Sequence, residues 1–181
     1  MRHSSPTLAG IETYWSVVAP IPGQLSQLIL GWQKQQGVHH SELHSHITVL
    51  ICRAPDNYSV LDRLEDALAS QAPVDILLGE PQTFLPASSV SFLSVQIGAE
   101  ELTDLHTRCQ QLLGASASPF AYVPHLTLGM HLPEPALADS LQRFAALPKE
   151  LRQFSLDRLL VYRYRGQNWT YLRQFMLAQP R

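Results

Sequence analysis

The apolar and polar positions of this chain alternate between the two-residue period of strands and the 3.6-residue period of helices. Aromatic and β-branched runs predict seven strands, at residues 14–19, 45–52, 74–78, 92–97, 125–131, 154–164 and 169–177. Apolar residues three or four positions apart predict four amphipathic helices, over residues 25–32, 61–68, 102–112 and 137–144. Gly37 is expected to end the first helix, and Pro81 the third strand.

The order of these elements repeats in the two halves of the chain. Ser16-Val17-Val18 resembles Ser94-Val95-Gln96, 78 residues later, and His46 precedes a matching His125 by 79 residues. Self-similarity at a nearly fixed spacing indicates duplication. We therefore predict an α+β fold, a single domain of two pseudo-symmetric lobes over about 11–85 and 90–181. Each lobe is expected to contribute a mainly antiparallel sheet flanked by helices, with a central cleft between the two sheets.

Composition and charge narrow the class of protein. A hydrophobic share of 45% and a charged share of 15% are typical of a globular domain. A net charge of -2 argues against an extended nucleic-acid footprint, which needs many basic residues. No apolar run has the length of a signal peptide or a membrane span, and Cys52 and Cys109 are expected to be two buried thiols in a reducing compartment. We expect a cytoplasmic monomer that does not bind membranes.

Two His-x-Thr tetrads carry the candidate chemistry, His46-Ile47-Thr48-Val49 and His125-Leu126-Thr127-Leu128. Because side chains alternate along a strand, His46 and Thr48 share one face while the apolar residues between them enter the core. The same holds for the second tetrad. If the 8 His of the chain and its equal number of Thr were placed at random, the expected number of His-x-Thr matches would be roughly one third. Two matches, both on strand-like segments, are therefore unusual. If the lobes are related by a rough two-fold axis, both polar faces meet one ligand.

Two imidazoles and two hydroxyls around one ligand suit phosphodiester chemistry. The displacement needs a base for the attacking oxygen and an acid for the leaving oxygen, and histidine serves in either role near pH 7. Thr hydroxyls can donate hydrogen bonds to the non-bridging oxygens as negative charge develops on them. The scheme requires no metal and no cofactor. Either histidine can be the acid, because the roles exchange with the direction of the reaction.

These tetrads resemble the two motifs of the two-histidine phosphoesterase superfamily, and the chain looks most like its 2'-5' RNA ligase and cyclic phosphodiesterase branch. The resemblance extends over nearly the whole chain, including the order of strands and helices. It implies a bilobal fold that hydrolyses 2',3'-cyclic or 2',5'-linked phosphodiesters, so the partner would be a nucleotide or an RNA terminus. By this resemblance His46 and His125 are the acid and base, and Thr48 and Thr127 bind the phosphate.

One departure from the family concerns phosphate binding. Members of the RNA-ligase-like group often have an Arg shortly after the second motif, where this chain has Gly129-Met130-His131. Counting by twos from His125, His131 stays on the cleft face if the strand extends that far, and it is then a candidate substrate-binding residue. The alternative is an exposed histidine at the strand end. By the same alternation His44 follows His46, either at the cleft entrance or in a loop.

The penultimate strand offers two further substrate-binding candidates. Arg163 and Arg165 share one face of it, and Tyr162 and Tyr164 share the other. An Arg would bind phosphate and a Tyr would stack on a base. The alternation does not determine which face meets the cleft, so Tyr164 and Arg165 are both candidates, with ordinary surface or core as the alternative.

Two other functions compete with catalysis by a histidine pair. One is a metal enzyme, since His39, His40, His44 and His46 lie within eight residues and could chelate a metal. The four helical stripes argue against the all-β barrel that usually hosts such a site. The other is a binding module that recognises an RNA end or nucleotide without turning it over.

Overall fold

The computed structural model describes residues 12–38, 43–116, 120–166 and 168–178. In chain order the elements are β1 (Thr13–Pro20), α1 (Gly23–Gln35), β2 (His46–Arg53), α2 (Val60–Leu68), β3 (Val74–Thr83), β4 (Ser91–Ile97), α3 (Ala99–Leu112), β5 (His125–Gly129), α4 (Glu134–Ala145), α5 (Lys149–Arg152), β6 (Gln153–Leu156), β7 (Arg158–Arg165) and β8 (Asn168–Met176). The predicted α+β class is confirmed. Gly37 follows α1 with φ of 63°, the left-handed conformation that ends many helices.

The strands form one antiparallel sheet in the order β6-β3-β4-β5-β2-β1-β7-β8. The prediction of two separate sheets is therefore wrong. The two predicted sheets are joined at the centre of the observed sheet, where β2 pairs with β5. This connection is a single paired position, Ile47 opposite Leu126. Four strands lie on each side of this thin junction. An alternation pattern in the sequence marks strands but does not reveal that one pair of residues connects two groups of them.

The division of the sheet differs from the division read along the sequence. β3 precedes the predicted lobe boundary, yet it pairs with β4 and β6, which follow that boundary. Pro20 on β1 pairs with His46, and Ser94 on β4 pairs with His125. Pro20 and Ser94 therefore occupy matching positions beside the two histidines, and they are 74 residues apart. The sequence comparison instead set Ser16 against Ser94. Strand pairing does not reproduce the repeat spacing, and duplication into lobes 11–85 and 90–181 stays a prediction.

The segment 154–164, predicted as one strand, is two strands in opposite halves of the sheet. β6 lies at one edge beside β3, and β7 lies beside β1, with Asp157 alone between them. Consecutive Cα atoms are about 3.8 Å apart, so the two halves must come together at this point and the sheet must be strongly curved. The Asp157 carbonyl also accepts a 2.8 Å hydrogen bond from the Leu177 amide after β8.

Two strand ends also differ from the prediction. β3 continues beyond Pro81 to Thr83, since β6 pairs only with Val74 to Leu77 and no neighbouring strand on that side needs the missing N–H of Pro81. β5 ends at Gly129 rather than at His131. His131 has φ of 53°, which lies outside the extended conformation of a strand.

One face of the sheet packs against the helices. The buried stripes of α1, α2, α3 and α4 belong to the same apolar core as Ile47 and Leu126. The alternate residues His46, Thr48, His125 and Thr127 therefore project from the other face, which we call the site face. Within the described ranges, no helix combines the length and apolar character needed to cross a membrane.

Candidate active site

The site face at the β2–β5 junction brings the two tetrads together. Ile47 and Leu126 are paired and completely buried. In an antiparallel pair, one step along each strand from this position brings His46 towards Thr127 and Thr48 towards His125. All four side chains are partly buried. By this register each imidazole is directed towards the hydroxyl of the other tetrad.

Both histidine rings are held by the same hydrogen bond. Nδ1 of His46 lies 2.7 Å from the His44 carbonyl oxygen, and Nδ1 of His125 lies 2.6 Å from the Val123 carbonyl oxygen. Because a carbonyl oxygen only accepts, each Nδ1 must carry a hydrogen and donate it. In both rings Nε2 is then the nitrogen that can take up or release a proton.

Burial sets the charge of His46. Desolvation lowers the pKa of His46 below its ordinary value of 6.5, and this outweighs the hydrogen bond to the His44 carbonyl, which raises it. The charge of His125 lowers the pKa of His46 further. Near pH 7 the His46 ring is consequently neutral and able to accept a proton. The influence of His125 indicates that the two rings lie within electrostatic reach of each other.

Two phenylalanines pack against His125. Its ring centroid is 5.1 Å from that of Phe84 and 5.2 Å from that of Phe92, both in edge-to-face arrangements. The phenylalanines stack on each other at 4.2 Å. Phe92 lies on β4 directly opposite Thr127, so it belongs to the site face. This side of the site is therefore an apolar wall that restricts the orientation of the His125 ring.

A pocket of about 260 Å³ opens beside His46. Its lining combines apolar side chains with hydroxyl, amide and imidazole groups, from Val18, Pro20, Ile21, Gly23, Ser26, Gln27, Leu43, His44, Ser45, His46, Leu160 and Tyr162. Such a mixture of apolar surface and a few polar groups is typical of small-molecule sites. The two sides of the junction thus differ, with an open pocket at His46 and packed rings at His125.

Tyr122 connects the segment before β5 to β2. Its hydroxyl donates a 2.9 Å hydrogen bond to the Thr48 carbonyl, and its ring stacks on His106 at 4.2 Å. His106 in turn donates from Nδ1 to the Val49 carbonyl at 2.7 Å. Burial raises the pKa of Tyr122 well above its ordinary value, so the hydroxyl stays protonated and remains a donor. We call this arrangement the Tyr122 clamp; sequence patterns gave no sign of it.

The two predicted secondary histidines lie in different places. His44 is exposed, lines the pocket and supplies the carbonyl that holds His46. His131 is also exposed, but it lies two residues beyond the end of β5. Strand alternation would place His131 on the site face only if β5 extended to residue 131. Because β5 ends at Gly129, alternation does not determine where the His131 side chain points.

The orientation of β7 distinguishes Tyr164 from Arg165. Tyr162 lines the pocket beside His46, so Tyr164, two residues later, also faces the site side. Arg165 and Arg163 project from the opposite face, where Arg163 contacts the Tyr58 hydroxyl at 3.3 Å. Arg165 thus starts from the face of β7 opposite the pocket, and its role in substrate binding stays a prediction.

Metal and thiol chemistry receive less support from the described residues. Within them, no three His, Cys, Asp or Glu side chains group closely enough to hold a metal ion. His39 and His40 lie outside the described ranges, so the proposed His cluster stays a prediction. Cys52 and Cys109 are free and buried, as expected, and burial raises their pKa to about 11 and about 12. Both thiols are thus protonated near pH 7 and poor nucleophiles.

Comparison with known proteins identifies relatives over most of the chain. Residues 21–168 match the family model described as the 2'-5' RNA ligase superfamily. A protein of Geobacillus kaustophilus (strain HTA426), whose curated name describes it provisionally as a phosphoesterase, is 24% identical over 91% of this chain and 96% of its own. A similarly named protein of Bacillus cereus (strain B4264) is 28% identical over 82% of this chain and 88% of its own.

Solved structures show the same fold at low identity. The crystal structure of Escherichia coli LigT in its apo form has a TM-score of 0.65 at 18% identity, covering 94% of this chain and 100% of LigT. LigT complexed with 3'-AMP has a TM-score of 0.64 at 18% identity, covering 93% and 99%. TT0787 of Thermus thermophilus has a TM-score of 0.59 at 18% identity, covering 92% and 98%.

Proposed function

The chain belongs to the 2'-5' RNA ligase superfamily, and on this premise we propose that it is a metal-independent phosphodiesterase acting on 2',3'-cyclic or 2',5'-linked phosphodiesters of nucleotides or RNA ends. One observation carries the proposal: both tetrad histidines donate from Nδ1 to a backbone carbonyl and keep Nε2 for proton transfer. The curated names of the relatives and the 3'-AMP complex of LigT agree with a nucleotide phosphoester as ligand.

The proposed reaction opens a cyclic phosphate by attack of water. Nε2 of His46 removes a proton from the water, whose oxygen forms a bond to phosphorus. The bond from phosphorus to one ribose oxygen breaks, and Nε2–H of His125 gives that oxygen its proton. The lowered pKa of His46 supports this assignment, because a neutral ring at pH 7 is the form that acts as a base.

The threonines bind the phosphate in this proposal. Their hydroxyls donate to the two non-bridging oxygens, which gain negative charge as the attacking oxygen approaches. Continuing the antiparallel register by one residue from the Ile47–Leu126 pair would bring Thr48 towards His125 and Thr127 towards His46, so each oxygen would have a donor next to a reacting histidine. The Tyr122 clamp holds the Thr48 backbone in place and so contributes to this geometry.

A substrate screen with chelator present tests the proposal. We expect the purified protein to hydrolyse at least one substrate among 2',3'-cyclic nucleotides, 2',5'-dinucleotides and RNA ending in a cyclic phosphate, with EDTA added throughout. His46→Ala and His125→Ala should each lower the rate at least roughly a hundredfold, the usual contribution of one acid or base. Circular dichroism of both variants checks that they fold.

Three results would contradict this function. Full activity in either alanine variant would falsify the roles of the histidine pair, and turnover that EDTA abolishes would favour the metal enzyme. Tight binding of a cyclic nucleotide without product over hours would favour a binding module instead.

A further inference from the structure

Four aromatic side chains form a continuous surface on the last hairpin. Tyr162 on β7 is directly opposite Tyr171 on β8, and Tyr164 is directly opposite Trp169. The ring centroids are 5.7 Å apart in the first pair and 4.7 Å apart in the second. We call these four residues the aromatic platform. Since cross-strand partners project from the same face of a sheet, the platform lies on the site face with His46.

The platform continues from the candidate active site. Tyr162 belongs to both, because it lines the pocket beside His46 and contacts the ring of Tyr171. Tyr164 is the next residue on the same face of β7, two positions after Tyr162 and further from the pocket. Trp169 lies beside it on β8. A ligand that fills the pocket and continues beyond it along the strand would meet these rings next.

The platform is accessible to a ligand. Tyr171 is 55% exposed, and Tyr162, Tyr164 and Trp169 are partly exposed. In contrast, Trp15 and Trp32 are completely buried in the core. Packing within the hairpin accounts for the pairing of the four rings, but it does not require a large part of the Tyr171 side chain to face solvent.

Stacking is the chemistry that this surface offers. Every nucleobase has a flat π-face, so rows of aromatic side chains bind single-stranded nucleic acid with little dependence on sequence. The nearby guanidinium of Arg163 projects from the opposite face of β7, and Arg173 on β8 pairs with Asp62 and Glu65 of α2. With a net charge of -2 as well, the interaction would involve a few bases rather than a long phosphate backbone.

We propose that the aromatic platform stacks the bases of the nucleotides that precede the reacting phosphate, so that the preferred substrate is the end of a single-stranded oligoribonucleotide rather than a mononucleotide. The inference rests on the proposed function for the position of the phosphate. It adds a substrate class and a binding surface to that function. The experiments below distinguish failure of this inference from failure of the proposed function.

Kinetics with two substrate lengths test the proposal. We compare a 2',3'-cyclic mononucleotide with a trinucleotide that ends in the same cyclic phosphate. The wild type should have a kcat/KM for the trinucleotide at least about tenfold higher, in line with the loss that one stacking contact causes when removed. Tyr171→Ala and Trp169→Ala should lose this preference while the mononucleotide rate stays unchanged, and Tyr171→Phe should keep it.

A control on the other face separates stacking from stability. Tyr58 is an exposed aromatic residue that packs on Trp15, away from the site face. Tyr58→Ala should leave the length preference intact. Equal wild-type rates for both lengths would overturn the proposal, as would a parallel fall in both rates in Tyr171→Ala, which is the result expected if the platform only stabilises the hairpin.

A binding experiment makes the test independent of turnover. The double variant His46→Ala/His125→Ala is titrated with a trinucleotide ending in a 3'-phosphate while tryptophan fluorescence is recorded. Because the other two tryptophans are buried, quenching should come from Trp169, be absent in Trp169→Phe, and need at least severalfold more ligand in Tyr171→Ala. Quenching of this kind supports the platform even if the wild type hydrolyses no substrate, whereas hydrolysis without quenching or length preference contradicts the platform alone.

Discussion

The two sides of the cleft carry the same tetrad and the same ring hydrogen bond, yet their surroundings differ. His46 borders an open pocket, and burial lowers its pKa. His125 packs against the stacked pair of Phe84 and Phe92. Two features of each histidine are therefore set by different residues, its tautomer and its environment. The tetrad with its carbonyl partner fixes which nitrogen carries the proton, and the neighbouring residues determine the charge of the ring and the space beside it.

This difference also gives the cleft a direction. The pocket beside His46 leads to the aromatic platform, because Tyr162 belongs to both, and it offers room for the part of a ligand that extends away from the phosphate. On the other side, His125 contacts the rings of Phe84 and Phe92. In our account the two histidines have the same tautomer and unequal roles, and the lowered pKa of His46 is what assigns it the role of base and His125 that of acid.

The largest effect is expected from the two threonines, one in each tetrad, and it should be equal on the two sides. Thr48→Val and Thr127→Val keep the shape of the side chain and remove the hydroxyl. If each hydroxyl binds one non-bridging oxygen, each change should lower kcat about a hundredfold with a smaller effect on KM. Steady-state kinetics on the best substrate of the screen measure this.

The serine variants are the matched controls for the threonines. Thr48→Ser and Thr127→Ser retain the donor and should recover most of the activity. A large loss in one valine variant and none in the other would show that a single threonine binds the phosphate, and the pairing of the two tetrads would then need revision.

A smaller effect is expected from the Tyr122 clamp. Tyr122→Phe keeps the stack on His106 and removes the hydrogen bond to the Thr48 carbonyl, so it should cost about 1 kcal/mol of stability. Because Thr48 is then held less firmly, we expect kcat to fall severalfold with little change in KM. Thermal unfolding and steady-state kinetics measure the two effects.

Tyr58→Phe is the control for the clamp variant. It removes a hydroxyl that contacts Arg163 on the opposite face, and it should leave kcat unchanged. An unchanged kcat in Tyr122→Phe, despite a measurable loss of stability, would limit the clamp to a structural role.

Local pattern predicted the elements well because each depends on its own residues. The apolar stripe at Leu25, Ile29 and Trp32 is the buried face of α1, and residues 14–19 lie within β1. The break at Asp157 shows where such reasoning ends. Buried positions change from even-numbered Leu156 to odd-numbered Leu159 across it. That parity change was present in the sequence, but apolar content alone made the segment resemble a single strand.

Alternation also predicted that His46 shares a strand face with Thr48, and His125 with Thr127. The structure pairs Ile47 with Leu126 and so puts the two strands side by side, while the roles of the four residues stay a prediction. The face on which Arg165 lies and the Tyr122 clamp became apparent only from the strand order, because both depend on residues far apart in sequence. Tyr122 and Thr48 are 74 residues apart and no local pattern relates them.

Ring-nitrogen NMR of His46 and His125, during titration with a nucleoside 3'-monophosphate, tests whether the two imidazoles bind one phosphate. In the free protein we predict that Nδ1 carries a hydrogen in both rings and that the pKa of His46 lies below 6.5. One equivalent of ligand should shift the Nε2 signals of both rings together, with a rise in the His46 pKa as the anion binds. If saturating ligand moves one ring and leaves the other unchanged, the two imidazoles do not share a phosphate and the account is wrong.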